Sequence, residues 1–319
     1  MNPVERVVRA VDRAQQGSTV AGFVVSVVKK FGDDRGSTLA ALLAYYGFLS
    51  LFPALLVLTT VVGFVGNDRL ADSVVGSVLG ELPVFGEQIG EGATRPLEGS
   101  VPALVVGLAG VAYGALGVAQ AGQHAMAQVW NVPGVVRPGF VPRLARSIGF
   151  LLLLAVGILA IATLGAEGTL GDRTGPARAA ALVLQVVLTG LLYVAAFRIL
   201  TPRTVPVLDL VPGALAAGVA YSGLLLLGTN LVRHQLSRAE DLYGQFALVL
   251  GLLGWLYLVA QISIVAAEAN VVLRRRLWPR SIVQPPLTPA DLQVLEAIAL
   301  QEARRPEEVV VVDFDEHAT

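Results

Sequence analysis

Glu268 is the ionisable residue that this sequence places inside a long apolar run, the stretch from Gln245 to Leu273. It stands six residues before Arg274, roughly 9 Å along a helix. An acid at that depth can pair with an arginine, line an inner vestibule, or carry a proton or cation, and acids within membrane spans are functional candidates by default. A second group lies in the run AYYGFLSLFP, which holds Tyr45, Tyr46, Ser50 and Pro53. Pro53 lacks an N–H and predicts a kink. Kinked helices line binding cavities in transporters and also occur in purely structural bundles. Other polar residues in the runs are Gln120, Gln123, Gln185, Gln245 and Gln261. A polar cavity bordered by Tyr45, Ser50, Gln261 and Glu268 would favour transport; a solidly packed bundle would favour a scaffold.

Several chemistries lack their residues. The chain has no cysteine, which removes disulfides, thiolate nucleophiles and Cys-ligated metal. His124, His234 and His317 are scattered, so they form no His-rich ligand set by themselves. No GxxxxGK[ST] run is present, so no ATP-driven engine is expected. Neither a GxSxG elbow nor an HExxH helix occurs. No cofactor or metal is expected, and the chain is not expected to be an enzyme.

These residues need long apolar helices to position them. The 319 residues are 55% hydrophobic and 15% charged, with mean hydropathy +0.68. Six apolar segments are about 20 residues long or more, enough to cross a bilayer. They run from about Thr38 to Val65, Val101 to Gly122, Ile148 to Gly165, Ala177 to Leu200, Val211 to Leu231, and Gln245 to Leu273. Each must be helical, because an open strand would leave backbone groups unpaired in lipid. The runs do not alternate with period two, which argues against a β-barrel. The fold class is therefore an all-α integral membrane protein with six transmembrane helices.

Arginine and lysine set its direction. Fifteen basic residues flank one set of helix ends and six the other. Arg6, Arg9, Arg13, Lys29, Lys30 and Arg35 precede the first helix. Arg137, Arg143 and Arg146 follow the second, Arg198 and Arg203 the fourth, and Arg274, Arg275, Arg276 and Arg280 the sixth. Both termini are expected inside, in the cytoplasmic membrane. The basic residues flank helices in the positive-inside pattern and imply no nucleic-acid partner. The expected partners are the bilayer and a lipid-like or small-molecule substrate.

The chain divides into residues 1–37, 38–273 and 274–319. The first 30 residues are too charged for a cleavable signal peptide. Val4, Val7, Val8 and Val11 fall at helical spacing, and Val20 to Val28 forms a short apolar run. Either an interfacial helix or a solvated helix packed on the bundle fits. Val74, Val75, Val78 and Leu79 predict a short amphipathic helix within 66–100. Thr288, Pro289 and Asp291 read as a helix start, running to about Arg305 before an acidic end. The C-terminal extension is expected to be a flexible cytoplasmic appendage. Gly107, Gly110, Gly114 and Gly117 share one face of the second helix, for close packing or as a sliding surface.

The motifs resemble the YihY/BrkB inner-membrane family. The run from Ala44-Tyr45-Tyr46 to Ser50-Leu51-Phe52-Pro53 is similar to its first helix, and Gln128-Val129-Trp130-Asn131 to the turn after its second. Phe197-Arg198 to Pro202 and Pro212-Gly213-Ala214 also match. The longest likeness joins Tyr243-Gly244, Trp255 and Tyr257 to Ala267-Glu268 and Asn270. Ala266-Ala267-Glu268 replaces the family's usual Gly-Ala-Glu and keeps the acid. The resemblance covers about Phe31 to Leu273 and implies six membrane helices. The candidate pathway or family-motif residues are therefore Tyr45, Tyr46, Ser50, Pro53, Trp130, Asn131, Tyr243, Gly244, Gln261, Glu268 and Asn270, with Gln261 included for its polarity within the last run. Family members have been labelled both virulence factor and tRNA-processing ribonuclease; the residues here do not support the nuclease. A transporter-like or lipid-handling protein without ATPase activity is expected, with a membrane scaffold in an envelope complex as the alternative.

Overall fold

The computed structural model describes residues 3–65, 101–166, 175–243 and 245–314, without side chains for 3–4, 52–65, 101, 103–104, 111, 158–166, 176–178, 181, 226 and 229–248. The amphipathic helix expected within 66–100 and the motif residue Gly244 lie outside the described residues. So do the side chains of Pro53 and Tyr243.

The described residues form nine α-helices: α1 (Pro3–Gln16), α2 (Thr19–Asp33), α3 (Gly36–Val65), α4 (Val101–Val129), α5 (Phe140–Ala166), α6 (Gly175–Leu200), α7 (Val211–Tyr243), α8 (Gln245–Arg275) and α9 (Pro289–Gln301). α3 runs through Pro53 as one continuous helix. Four helices carry stretches long and apolar enough to cross a membrane: Val105–Val129, Phe140–Gly157, Leu182–Leu200 and Val249–Arg275. Gly36–Leu51 and Val211–Leu225 are shorter apolar helices among the described residues.

α3 to α8 form a closed ring. Each packs on the next in the chain, and α8 returns to pack on α3. Val105, Val106, Leu152, Val156, Leu191 and Val219 point outward as exposed apolar side chains, the surface expected of helices in lipid. Among the described residues the buried core gathers at one end of the ring. There Leu39 and Ala40 of α3 share a cluster with Met126 and Val129 of α4, Phe197 of α6, Ala214 of α7 and Ile264 of α8.

The glycine stripe proves to be a packing face where it is described. A methyl group on Gly114 would fall 2.8 Å from the Ser50 backbone, and one on Gly117 would fall 2.2 Å from the Tyr46 ring. α3 and α4 therefore approach as closely as small residues allow.

α1 and α2 close the core end. Ser18 caps α2 by accepting the Ala21 N–H at 3.4 Å. α2 buries Gly22, Ser26, Val27 and Lys30 and packs against α8. Its opposite face leaves Val20, Val24 and Val28 exposed, and α1 likewise exposes Val7 and Val11. The segment thus packs on the bundle by one face and exposes valines on the other.

Residues 277–301 pack on the bundle and are not a free appendage, and their polar anchors are the reason. Arg280 is 1% exposed; it pairs with Asp291 at 2.8 Å and with Asp33 at 2.6 Å. Thr288 and Asp291 form the expected capping box, with Pro289 in the first turn of α9. α9 ends at Gln301, short of the expected Arg305.

Candidate functional site

Two polar features share the core end of the ring. The first is a buried ion cluster. Lys30, near the end of α2, and Glu268, in the last turns of α8, are both fully buried, with Lys30 Nζ 3.0 Å from Glu268 Oε2. Lys30 also bonds to the Asp34 carboxylate and donates to the Val129 carbonyl at 2.9 Å. Neither Glu268 oxygen accepts a well-aligned hydrogen bond, so this acid is held chiefly by the ammonium charge. Arg275 supplies a second cation that acts on Asp34, making two cations against two carboxylates. Burial of charge is tolerated only when it is compensated in this way.

Asn131 ties the cluster together. It follows α4 with φ of 48°, a left-handed conformation that asparagine adopts more readily than most residues. Its amide donates to Gln301 at 2.9 Å and to Asp34 at 3.4 Å. Arg275 donates to the Asn131 side-chain oxygen at 3.4 Å and to the Trp130 carbonyl at 2.8 Å.

A second ionic layer lies toward the chain ends. Lys29 joins Asp291 at 2.9 Å. Burial alone would raise the Asp291 pKa, but donation from the Ser281 N–H, Lys29 and Thr288 outweighs it and holds the carboxyl at about 2. Asp12 is held below its ordinary value: burial pushes it up, and bonds from Ile282, Gln15, Gln16 and Val283 more than offset that push.

The second feature is an open groove of about 510 Å³ between α3, α4 and α5. Its apolar lining comes from Leu42, Tyr46, Tyr113 and Leu116. Its polar lining includes Gln120, His124, Arg137, Arg143 and Arg146. Arg137 donates to the Val132 carbonyl at 3.3 Å and to Gln128 at 3.2 Å, and lies 3.5 Å from His124 Nδ1. Such a volume falls within the range of small-molecule pockets.

Comparison with known proteins places this arrangement. The family described as virulence factor BrkB matches residues 27–286. The chain belongs to that family. A UPF0761 membrane protein of Halorhodospira halophila is 26% identical over 274 residues, covering 81% of this chain and 58% of that protein. A UPF0761 membrane protein of Stenotrophomonas maltophilia is 26% identical over 273 residues, covering 81% of this chain and 62% of its own length. The chain thus spans about three-fifths of the length of these relatives. No solved structure matches it. It is a BrkB-family membrane protein with several apolar helices.

Within this family member the motif residues do separable jobs. Asn270 accepts the Gly213 N–H at 2.6 Å and donates to the Leu210 carbonyl at 3.0 Å. A methyl group on Gly213 would lie 2.0 Å from the Ala266 carbonyl oxygen. The Pro-Gly-Ala and Glu-Ala-Asn motifs are therefore two halves of one clamp between α7 and α8. Gln261 donates to the Tyr257 hydroxyl one turn away at 3.1 Å. Ser50 donates back to the Gly47 carbonyl at 2.8 Å. Tyr45 is 53% exposed and meets Tyr46 edge-on, with ring centroids 5.4 Å apart.

Among the cavities of the described residues, Tyr46 lines the groove, and Tyr45, Ser50, Gln261 and Glu268 line neither it nor the two smaller cavities near Asn131. Glu268 pairs with a lysine, not an arginine. Sequence reasoning passed over Lys30, Asp34, Arg275, Arg280 and Asp291 as partners. One signal was available: Lys29 and Lys30 are the only lysines in a chain rich in arginine.

Proposed function

We propose that this BrkB-family protein spans the cytoplasmic membrane six times with both termini inside, and that it handles an amphiphile without ATPase activity. The observation that carries the reading is the mixed lining of the groove. Leu42 and Tyr46 of α3 and Tyr113 and Leu116 of α4 are its apolar part, and Gln120 and His124 of α4, Arg137 of the turn that follows and Arg143 and Arg146 of α5 are its polar part. A ligand with an apolar part and a polar head satisfies both, whereas a wholly polar solute would leave Leu42, Tyr46 and Leu116 without a partner. The closed ring of α3 to α8 supports six spans. The valines exposed on α1 and α2 support a position for that pair against the inner leaflet.

Topology has a direct test, because the chain has no native cysteine. Glu91→Cys should react with an impermeant thiol reagent on intact cells, and Glu5→Cys and Glu308→Cys should not. The handling itself is tested in vesicles containing the purified chain. Movement of neither lipid nor small amphiphile above the protein-free rate contradicts it.

One observation favours a scaffold instead: the glycine-tight packing of Gly114 and Gly117 on Ser50 and Tyr46 leaves no passage between α3 and α4 at that level. That reading predicts stoichiometric co-purification with another membrane protein. The ribonuclease reading is not adopted; metal-dependent RNA cleavage by the purified chain would restore it.

A further inference from the structure

The groove has an electrostatic imbalance that membrane orientation does not account for. Positive-inside arginines need only sit on the inner side; nothing in that rule gathers them in one groove. Arg137, Arg143 and Arg146 all line the groove. Arg198 and Arg203 are near enough to repel Arg146. None of these five has a carboxylate within ion-pair distance among the described residues; Glu302 acts on Arg137 from farther away. The fully buried cations at the same end, Lys30 and Arg280, are closely paired, whereas Arg137 and Arg146 are half-buried and Arg143 is exposed at the groove. Arg143 also lies in the first turn of α5, where the helix dipole disfavours a cation and favours an anion.

We infer that the groove binds the phosphate head of an anionic amphiphile, with Arg143 and Arg146 meeting the phosphate and Arg137 held ready beside them. This rests on the amphiphile reading and names its head group. Arginine suits the role because its fork meets phosphate oxygens in pairs. Arg137 is already fixed by Val132, Gln128 and His124, so little order is lost when it engages a ligand. Arg143 and Arg146 make no side-chain hydrogen bond to the described residues and are free to close on an anion. Gln120 adds a neutral polar side chain to the same groove. Free phosphate shares the head-group chemistry but fills only the basic corner. Leu42, Tyr113 and Leu116 in the same groove suit the start of an apolar chain.

The test titrates the purified full-length chain in neutral detergent with phosphatidylglycerol, and in a parallel arm with inorganic phosphate, reading bound ligand by native mass spectrometry. Arg143→Gln/Arg146→Gln is compared with Arg6→Gln/Arg13→Gln, which removes as much charge from α1. The expected result is saturable lipid binding that the groove pair weakens by about tenfold or more and the α1 pair leaves nearly unchanged. Arg143→Lys/Arg146→Lys should recover part of it, which a folding defect would not allow. Equal loss in both glutamine pairs means diffuse surface charge and overturns the site. Displacement of the lipid by inorganic phosphate at matching concentration assigns the site to free phosphate and overturns the lipid. Binding without movement across vesicles removes the handling reading and leaves the site; movement with no arginine-dependent binding does the reverse.

Discussion

Lys30 Nζ lies 3.0 Å from Glu268 Oε2 with both side chains fully buried, so the N-terminal helices and the last long helix are joined through charge inside the fold. Because Lys30 also holds Asp34, its two carboxylate partners are not equivalent to it in consequence. Lys30→Met strands both acids and should destabilise by about 3–5 kcal/mol, the usual cost of leaving buried charge unpaired. Glu268→Gln leaves Lys30 paired with Asp34 and should cost clearly less. Adding Glu268→Gln to Lys30→Met should recover part of the loss. Thermal unfolding of the three variants in detergent checks the order; Glu268→Gln as damaging as Lys30→Met would contradict it.

The clamp between α7 and α8 makes a sharper steric prediction. Gly213→Ala would push a methyl group to 2.0 Å from the Ala266 carbonyl, which only backbone movement can relieve. The expected cost is about 3 kcal/mol or more, above the ordinary range for overpacking, with lost expression as its sign. Gly149 has open space at the same atom, and Gly149→Ala within α5 should be neutral or stabilising by up to about 1 kcal/mol. Similar behaviour of the two variants would show that α7 and α8 do not approach this closely.

Asp291 gives the pH dependence. Its carboxyl is held at about 2 in the folded chain, below the value near 3.9 expected when unfolded. A depressed pKa means that its stabilisation is fully present above about pH 4 and is lost as pH falls through about 2. The stability gap between the parent and Asp291→Asn should therefore be constant from neutral pH to about pH 4 and narrow below it. Denaturation in detergent at stepped pH measures the gap. A gap that widens on acidification would contradict the assigned ion pairs with Lys29 and Arg280.

The long helices were legible because lipid leaves the backbone no other solution, and the α9 cap because Thr288, Pro289 and Asp291 act locally. Glu268 stood out for the same reason, as a charge where hydrocarbon was expected. Its partner did not, because Lys30 lies 238 positions away in a segment whose charges look like an ordinary inner flank. The tail was misread for a related cause: Arg280 and Asp291 resemble solvated charges until α2 supplies Asp33 and Lys29. Arg137, Arg143 and Arg146 satisfied a membrane-orientation rule so well that their convergence left no trace in spacing. Tyr45, Ser50 and Gln261 were grouped by polarity alone, and helix rotation sends them to different neighbours.

The central claim is that the groove between α3, α4 and α5 takes up an amphiphile with a phosphate head. Its most direct test is the rate at which labelled phosphatidylglycerol crosses vesicles containing the full-length chain, compared with the same vesicles carrying Arg143→Gln/Arg146→Gln. The account predicts movement above the protein-free rate that falls about tenfold or more in the variant. Movement equal in parent and variant would contradict the site, and movement absent from the parent would contradict the handling.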